Sequence, residues 1–353
     1  MTTPKRSAGT LFRPREQLPW PAGEPFRILS IDGGGIKGIL PAALLARIEE
    51  EITRGVPAGR YFDMIAGTST GGIIALALGF GLPASTVHKI YVDQGAEIFP
   101  RRTARSPILR GLQLAWRALN DLHRYRYDAD ALERALSGAF GAAMLGQCER
   151  RLVVPAFDWN TEVFLFKTPH HPDYKLDWPN PLVTVARATS AAPTYFRAFK
   201  GADRRFLDGG VWANNPIMCA LVDALACYDV ERRAIEILSI GCADDEYVMS
   251  SAHETGGLWA WRKIFSAAAQ LQSQNAIGQA RLLIGGDRVH RLDGRAPRPI
   301  EMDDYESAAE LLPALAQTLF DDNRAMLQRF FGSERPAFQA WHGPRAPAPD
   351  VRA

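Results

Sequence analysis

The chain predicts an α/β fold with a central, mostly parallel sheet flanked by helices. Two glycine-rich turns carry that prediction. Ile28-Leu29-Ser30-Ile31 leads into Asp32-Gly33-Gly34-Gly35-Ile36-Lys37-Gly38, and Phe62-Asp63-Met64-Ile65-Ala66 leads into Gly67-Thr68-Ser69-Thr70-Gly71-Gly72. Each turn follows an apolar run and precedes a helical pattern. Strand, turn, helix, repeated, is the rhythm of parallel strands joined by crossover helices. Size agrees: 353 residues, 47% hydrophobic and 23% charged, bury a large core as one big domain or two small ones.

Residues 1–25 are punctuated by Pro and Gly and read as a flexible N-terminal arm. Residues 26–31 read as a buried strand. Residues 39–52 read as a helix with Leu40, Leu44, Leu45 and Ile48 on one face, and Pro41 is tolerated in its first turn. Residues 61–66 are the next strand. Residues 71–80 form a helix apolar all round, hence central. Residues 151–157 and 162–167 are strands, and 181–192 a small-residue helix stopped by Pro193. Residues 205–207 reach Asp208-Gly209-Gly210. Asn215 then caps a helix with Pro216 at its first position and a stripe of Ile217, Leu221, Leu225 and Tyr228. Residues 234–240 are a strand and 255–331 mostly helical. The expected organisation is a catalytic domain over 26–245, a mostly helical extension of it over 246–342, and a disordered Pro-rich tail over 343–353.

A net charge of +2 gives no field for a nucleic acid polymer. Cys148, Cys219, Cys227 and Cys242 lack CxxC spacing, so buried thiols are expected rather than metal ligands or bridges, as suits a reducing cytosol. No secretory apolar run opens the chain. The longest apolar stretch, 73–82, is broken by Gly79 and Gly81 and is too short to span a bilayer. A cytoplasmic protein is expected, acting peripherally at the inner membrane surface if its substrate is lipid. Segment 100–127 holds Arg101, Arg102, Arg105, Arg110, Arg117, Arg124 and Arg126 against Asp121, with Ile108, Leu109, Leu112, Trp116 and Leu119 between. It reads either as a solvated helix packing its apolar face or as a basic amphipathic surface for an anionic membrane or a phosphorylated ligand. Arg101, Arg102 and Arg105 are the candidates for the second role.

Gly67-Thr68-Ser69-Thr70-Gly71 is a GxSxG turn between strand and buried helix. Such a turn crowds its neighbours, needs small residues two positions either side, and projects the serine outward at a helix N-terminus. Gly33 to Gly38 also satisfies GxGxxG, so a dinucleotide fold is a rival. That fingerprint wants an acid about 20 residues on at a strand end; Glu49 to Glu51 end a helix instead. The other reading is an oxyanion hole of converging backbone N–H groups. Ser69 needs a base. His290 and His342 fit a Ser–Asp–His order but lack a recognisable strand end, and His88 and His123 lie in helical or basic stretches. His170-His171 reads as a surface pair in a polar loop. A Ser69–Asp208 dyad is the simpler proposal, with Asp208 partly desolvated so that it becomes a stronger base.

The chain resembles the patatin-like phospholipases. The resemblance rests on Asp32 to Gly35 with Lys37-Gly38, Gly67 to Gly72, Ala186-Arg187-Ala188-Thr189-Ser190-Ala191-Ala192-Pro193, and Asp208-Gly209-Gly210 followed by Asn214-Asn215-Pro216. It spans about residues 26–245 and implies a three-layer patatin-like fold and hydrolysis of lipid acyl esters with no catalytic histidine and no metal. Ser69 would be the nucleophile and Asp208 the base. Gly33, Gly34 and Gly35 would form the oxyanion hole, the amides of Gly34 and Gly35 donating. Lys37, Gly38, Gly67, Gly71, Gly209 and Gly210 would support these turns. Lys37 stands where the family often has arginine, which puts a bidentate role there in doubt. Lys167-Thr168-Pro169-His170-His171 and Ser239-Ile240-Gly241-Cys242 further resemble bacterial anti-phage (CBASS) effector phospholipases. That resemblance implies a cyclic dinucleotide activator such as cGAMP, membrane phospholipid as substrate, and a homo-oligomer on activation. The alternatives are a constitutive lipid acyl hydrolase, a dinucleotide-binding protein and a silent scaffold.

Overall fold

A computed structural model describes residues 15–100, 125–201, 203–243 and 264–347. The strands of its main sheet are β1 (Phe26–Ile31), β2 (Met64–Gly67), β3 (Arg151–Asp158), β4 (Glu162–Lys167), β5 (Phe199–Lys200), β6 (Arg205–Asp208), β7 (Ile235–Ile240) and β8 (Val289–Leu292). The order β8-β7-β1-β2-β3 is parallel throughout. β4 and β6 pair with β3 antiparallel, and β5 pairs with β6 antiparallel.

The register on β3 positions the site. Val153 pairs with both Lys167 and Ala66, and Ala156 with both Phe164 and Asp208. β4 therefore lines one edge of β3, while β2 and β6 share the other edge end to end. β2 runs with β3 and β6 runs against it, so their C-terminal ends face each other across Pro155. Proline has no N–H to give a ladder. Here it lies between the two partner strands on that edge.

Strand side chains alternate between two cores, as a period of two requires. Leu29, Ile31, Leu152, Val154, Leu238 and Ile240 face one core; Phe26, Ile28, Val153, Ile235 and Ile237 face the other. The first core is covered by α1 (Ile39–Glu51), α2 (Thr70–Phe80), α3 (Ala84–Ile98), α4 (Asp130–Phe140), α5 (Leu182–Thr189), α8 (Tyr305–Asp322) and α9 (Arg324–Phe330). The second is covered by α6 (Ile217–Cys227) and α7 (Ile264–Ile284). The result is the expected three-layer α/β fold. α2 is buried along its length up to Gly79, as its all-apolar sequence requires.

Several expectations change. The second strand begins at Met64, because Ala58–Tyr61 forms a 3-10 turn. Helix α6 begins one residue later than expected: Asn215 Oδ1 accepts from the Ile217 N–H at 3.0 Å, with Pro216 just outside. β8 was hidden in a region that reads as helical, and it completes the sheet edge. The arm is not loose over its described part. Leu18–Pro19 pairs with Tyr228–Asp229, and Trp20 packs on Phe26 and Tyr228. The start of the tail is also fixed, since Arg345 donates to the carbonyls of Cys148 and Phe338.

Candidate active site

Ser69 follows β2 by two residues and precedes α2. Its backbone sits at φ +55°, ψ −122°, a strained conformation for a residue with a side chain. The turn is possible only because its flanks are bare. A methyl group at Gly67 would lie 2.0 Å from the Gly71 carbonyl, and one at Gly71 would lie 2.4 Å from the Ile31 carbonyl. Thr189, at the end of α5, holds the turn from outside: its hydroxyl accepts from the Ser69 N–H at 3.0 Å and donates to the Pro155 carbonyl at 2.6 Å. Thr189 thus ties the serine to the junction on β3.

Asp208 ends β6 and points at that junction. Its Oδ2 accepts from Ser69 Oγ at 2.6 Å, and its Oδ1 accepts from the Gly210 N–H at 2.7 Å. Burial lifts its pKa from an ordinary 3.8 to about 6, against the opposing pull of those two hydrogen bonds. Gly209 passes so close to Pro155 that an added methyl would meet its carbonyl at 2.4 Å.

The triple glycine lies beside the serine. Gly35 has φ +59° and opens a 3-10 turn, Gly35–Gly38, that holds the buried Lys37. Gly38 abuts the Thr70 hydroxyl. The N–H groups of Gly34 and Gly35 have no acceptor among the described residues, while that of Gly33 donates to the Asn214 carbonyl at 3.0 Å. The Gly33 amide, expected in the oxyanion hole, is thus already bonded, and it fastens the loop. Asp32 anchors the loop from below. Its carboxylate takes both terminal nitrogens of Arg291, at 3.0 and 2.7 Å, and the Ser273 hydroxyl at 3.2 Å. Arg291 comes from β8, the strand that patterning alone did not reveal.

An apolar slot opens at Ser69 and Gly35 and runs between Ile73, Ile98, Phe99, Leu132 and Phe196. Its apolar walls suit a hydrocarbon chain whose carboxyl end sits at the serine. Tyr195 and Met302 also line it.

No described histidine serves Ser69. His290 packs on Phe330 beside Arg329, and His342 bonds the Pro172 carbonyl. His170 and His171 are not surface residues: both are 1% exposed. His170 Nε2 meets Asp223 at 2.7 Å and Nδ1 meets the Thr168 hydroxyl at 2.8 Å. The sulfur of Cys227 lies in the same cluster, but the ammonium of Lys167 already sits on the Asp223 carboxylate. The four cysteines are free thiols, Cys219 half-buried and the others buried. Arg101, Arg102 and Arg105 lie outside the described residues.

A serine on a strained strand-to-helix turn, bonded to a buried carboxylate and open to an apolar slot, belongs to the hydrolases that act on lipid esters. The chain is a member of the patatin-like phospholipase family, whose pattern matches residues 29–221. It is 30% identical to a cGAMP-activated phospholipase of Pseudomonas aeruginosa over 92% of this chain and 94% of that one. A Vibrio cholerae protein of the same description is 31% identical over 86% of this chain and 94% of that one. An Escherichia coli protein, again so described, is 35% identical, but the match covers 64% of each chain. Among the described residues no helix is long and apolar enough to cross a membrane.

Proposed function

We propose that the chain hydrolyses fatty-acyl esters of membrane phospholipids through Ser69 and Asp208, and that a cyclic dinucleotide such as cGAMP switches it on in anti-phage defence. The observation that carries the chemistry is the 2.6 Å hydrogen bond between Ser69 Oγ and Asp208 Oδ2. Asp208 takes the hydroxyl proton as Oγ attacks the ester carbonyl carbon. The amides of Gly34 and Gly35 receive the oxyanion. The C–O bond to the lysophospholipid breaks, Asp208 returns the proton to that leaving oxygen, and an acyl-serine remains. Water then gives its proton to Asp208 and attacks the acyl carbon. Collapse breaks the acyl–Oγ bond, Asp208 returns the proton to Ser69 Oγ, and the fatty acid leaves. The protein would work from the cytoplasm at the inner membrane surface, with the substrate's acyl chain in the slot beside Ile73. Control by a nucleotide is supported by the activator that the three relatives' descriptions name.

A fluorogenic phospholipid assay with a panel of cyclic dinucleotides tests both halves. Ser69→Ala and Asp208→Asn are each expected to abolish turnover, with the fold intact by circular dichroism. Retained activity in Asp208→Asn removes the dyad. Equal rates with and without every nucleotide leave the constitutive alternative.

A further inference from the structure

Two adjacent asparagines come after the Asp208 turn, and the fold treats them differently. Asn215 is fully employed. Its Oδ1 accepts from the Ile217 N–H and from the Ser30 hydroxyl, its Nδ2 donates to Ser273, and its N–H donates to Gln272. The backbone of Asn214 is also employed. Its carbonyl takes the Gly33 N–H, and the preceding carbonyl, of Ala213, takes the Thr68 hydroxyl at 2.6 Å. Asn214 is thereby clamped where three pieces meet: the triple-glycine loop, the serine turn and the Asp208 turn. Yet its carboxamide makes no hydrogen bond to any described residue, although the residue is only 7% exposed. Neither of its polar atoms is sealed away from solvent without a partner, so the residual exposure includes the carboxamide itself.

A carboxamide without a protein partner, yet still reachable from solvent, is available to a ligand that reaches the same opening. The surroundings make room for it. A methyl at Gly33 would stand 2.6 Å from Asn214 Oδ1 and 3.3 Å from the Ser69 Cβ. A methyl at Gly210 would stand 3.2 Å from the same oxygen and 3.0 Å from Asp208 Oδ1. Two bare backbones thus leave a polar head free beside both reacting side chains. A group held in this way has no partner among the described residues and stays open to substrate.

We infer that the Asn214 carboxamide is a catalytic hydrogen-bonding group that engages the reacting ester, donating from Nδ2 to the oxygen that gains charge as Ser69 adds. It would be a side-chain donor beside the Gly34 and Gly35 amides. The inference rests on the dyad reading.

The test uses the full-length protein and a soluble p-nitrophenyl butyrate substrate, which removes membrane binding from the readout. Asn214→Ala is expected to lower kcat by about 100-fold, the scale of losing one such donor, with KM within twofold and the melting temperature unchanged. Asn214→Asp, nearly the same shape, adds a carboxylate beside Asp208. It is expected to move the acidic limb of the pH–rate profile upward by about one pH unit, because like charges oppose ionisation. A kcat within threefold of wild type in Asn214→Ala overturns the inference. So does an unshifted limb in Asn214→Asp, which would leave Asn214 a packing residue. Ser69→Ala and Asp208→Asn run alongside: activity surviving in those two refutes the dyad itself, whatever Asn214 does.

Discussion

In the proposed mechanism Asp208 acts in the state that burial makes costly. A base must be ionised to take the serine proton, and burial opposes ionisation, so the pKa rises to about 6. Turnover is therefore expected to climb as pH rises through about 6, measured as kcat/KM on a soluble ester. Stability runs the other way. The folded-state value exceeds the unfolded one, so the contribution is fully present below about pH 4 and is lost as pH rises through about 6. The difference between 3.8 and about 6 corresponds to about 3 kcal/mol. Asp208→Asn is thus expected to be inactive yet more stable than wild type at pH 8, with the gain fading towards pH 4. Urea unfolding at the two pH values checks this; a variant less stable at pH 8 contradicts it.

The elements explain why residues 139 positions apart in sequence meet. β2 and β6 occupy one edge of β3 from opposite ends and stop at Pro155. The serine turn leaves the end of β2 and the Asp208 turn leaves the end of β6, so both are delivered to the same place. Thr189 closes the joint, with its hydroxyl between the Ser69 amide and the Pro155 carbonyl. Thr189→Val keeps the shape and removes both bonds. It is expected to cost about 1–3 kcal/mol, the scale of stranding a buried amide and carbonyl. A fall in kcat of about tenfold should accompany it, with KM little changed. Denaturant midpoints and steady-state rates report the two effects separately, and a variant matching wild type in both would show the joint to be idle.

At the scale of the molecule, buried charge fastens the layers around the sheet. Lys167 of β4 and His170 of the loop after it both bond Asp223 of α6, and the Tyr174 hydroxyl joins at 2.5 Å. The Lys167 ammonium holds Asp223 well below the usual carboxylate range despite its burial. Burial lowers His170 to about 4, so its ring is neutral near pH 7. An ionised carboxylate accepts only, so Nε2 carries the proton and Nδ1 accepts from Thr168. Asp223→Asn strands a cation whose side chain is only 12% exposed, and about 3–5 kcal/mol is expected to be lost. Lys167→Met combined with Asp223→Leu removes both charges and is expected to recover most of that loss in urea unfolding. No recovery would mean that packing, not charge, dominates there.

Much of this was legible in the residues. Small residues two positions either side of Ser69 are required by any sharp turn that projects a hydroxyl, so Gly67 and Gly71 announce the serine turn locally. Apolar runs closed by glycine announce β1 and β2, because strands buried on both faces need no polar alternation. Local pattern could not reveal β8, whose Val-His-Arg-Leu is too short and too polar; its place in the sheet comes from pairing with β7 and from Arg291 reaching Asp32. Nor could it show that His170 is buried, since Asp223, which meets its Nε2, lies far away in sequence. The sequence by itself determined the turns, because their sterics are local. Tertiary structure alone decided which carboxylate meets the serine, which glycine amide is already committed, and which asparagine is left bare, because long-range strand register sets those distances.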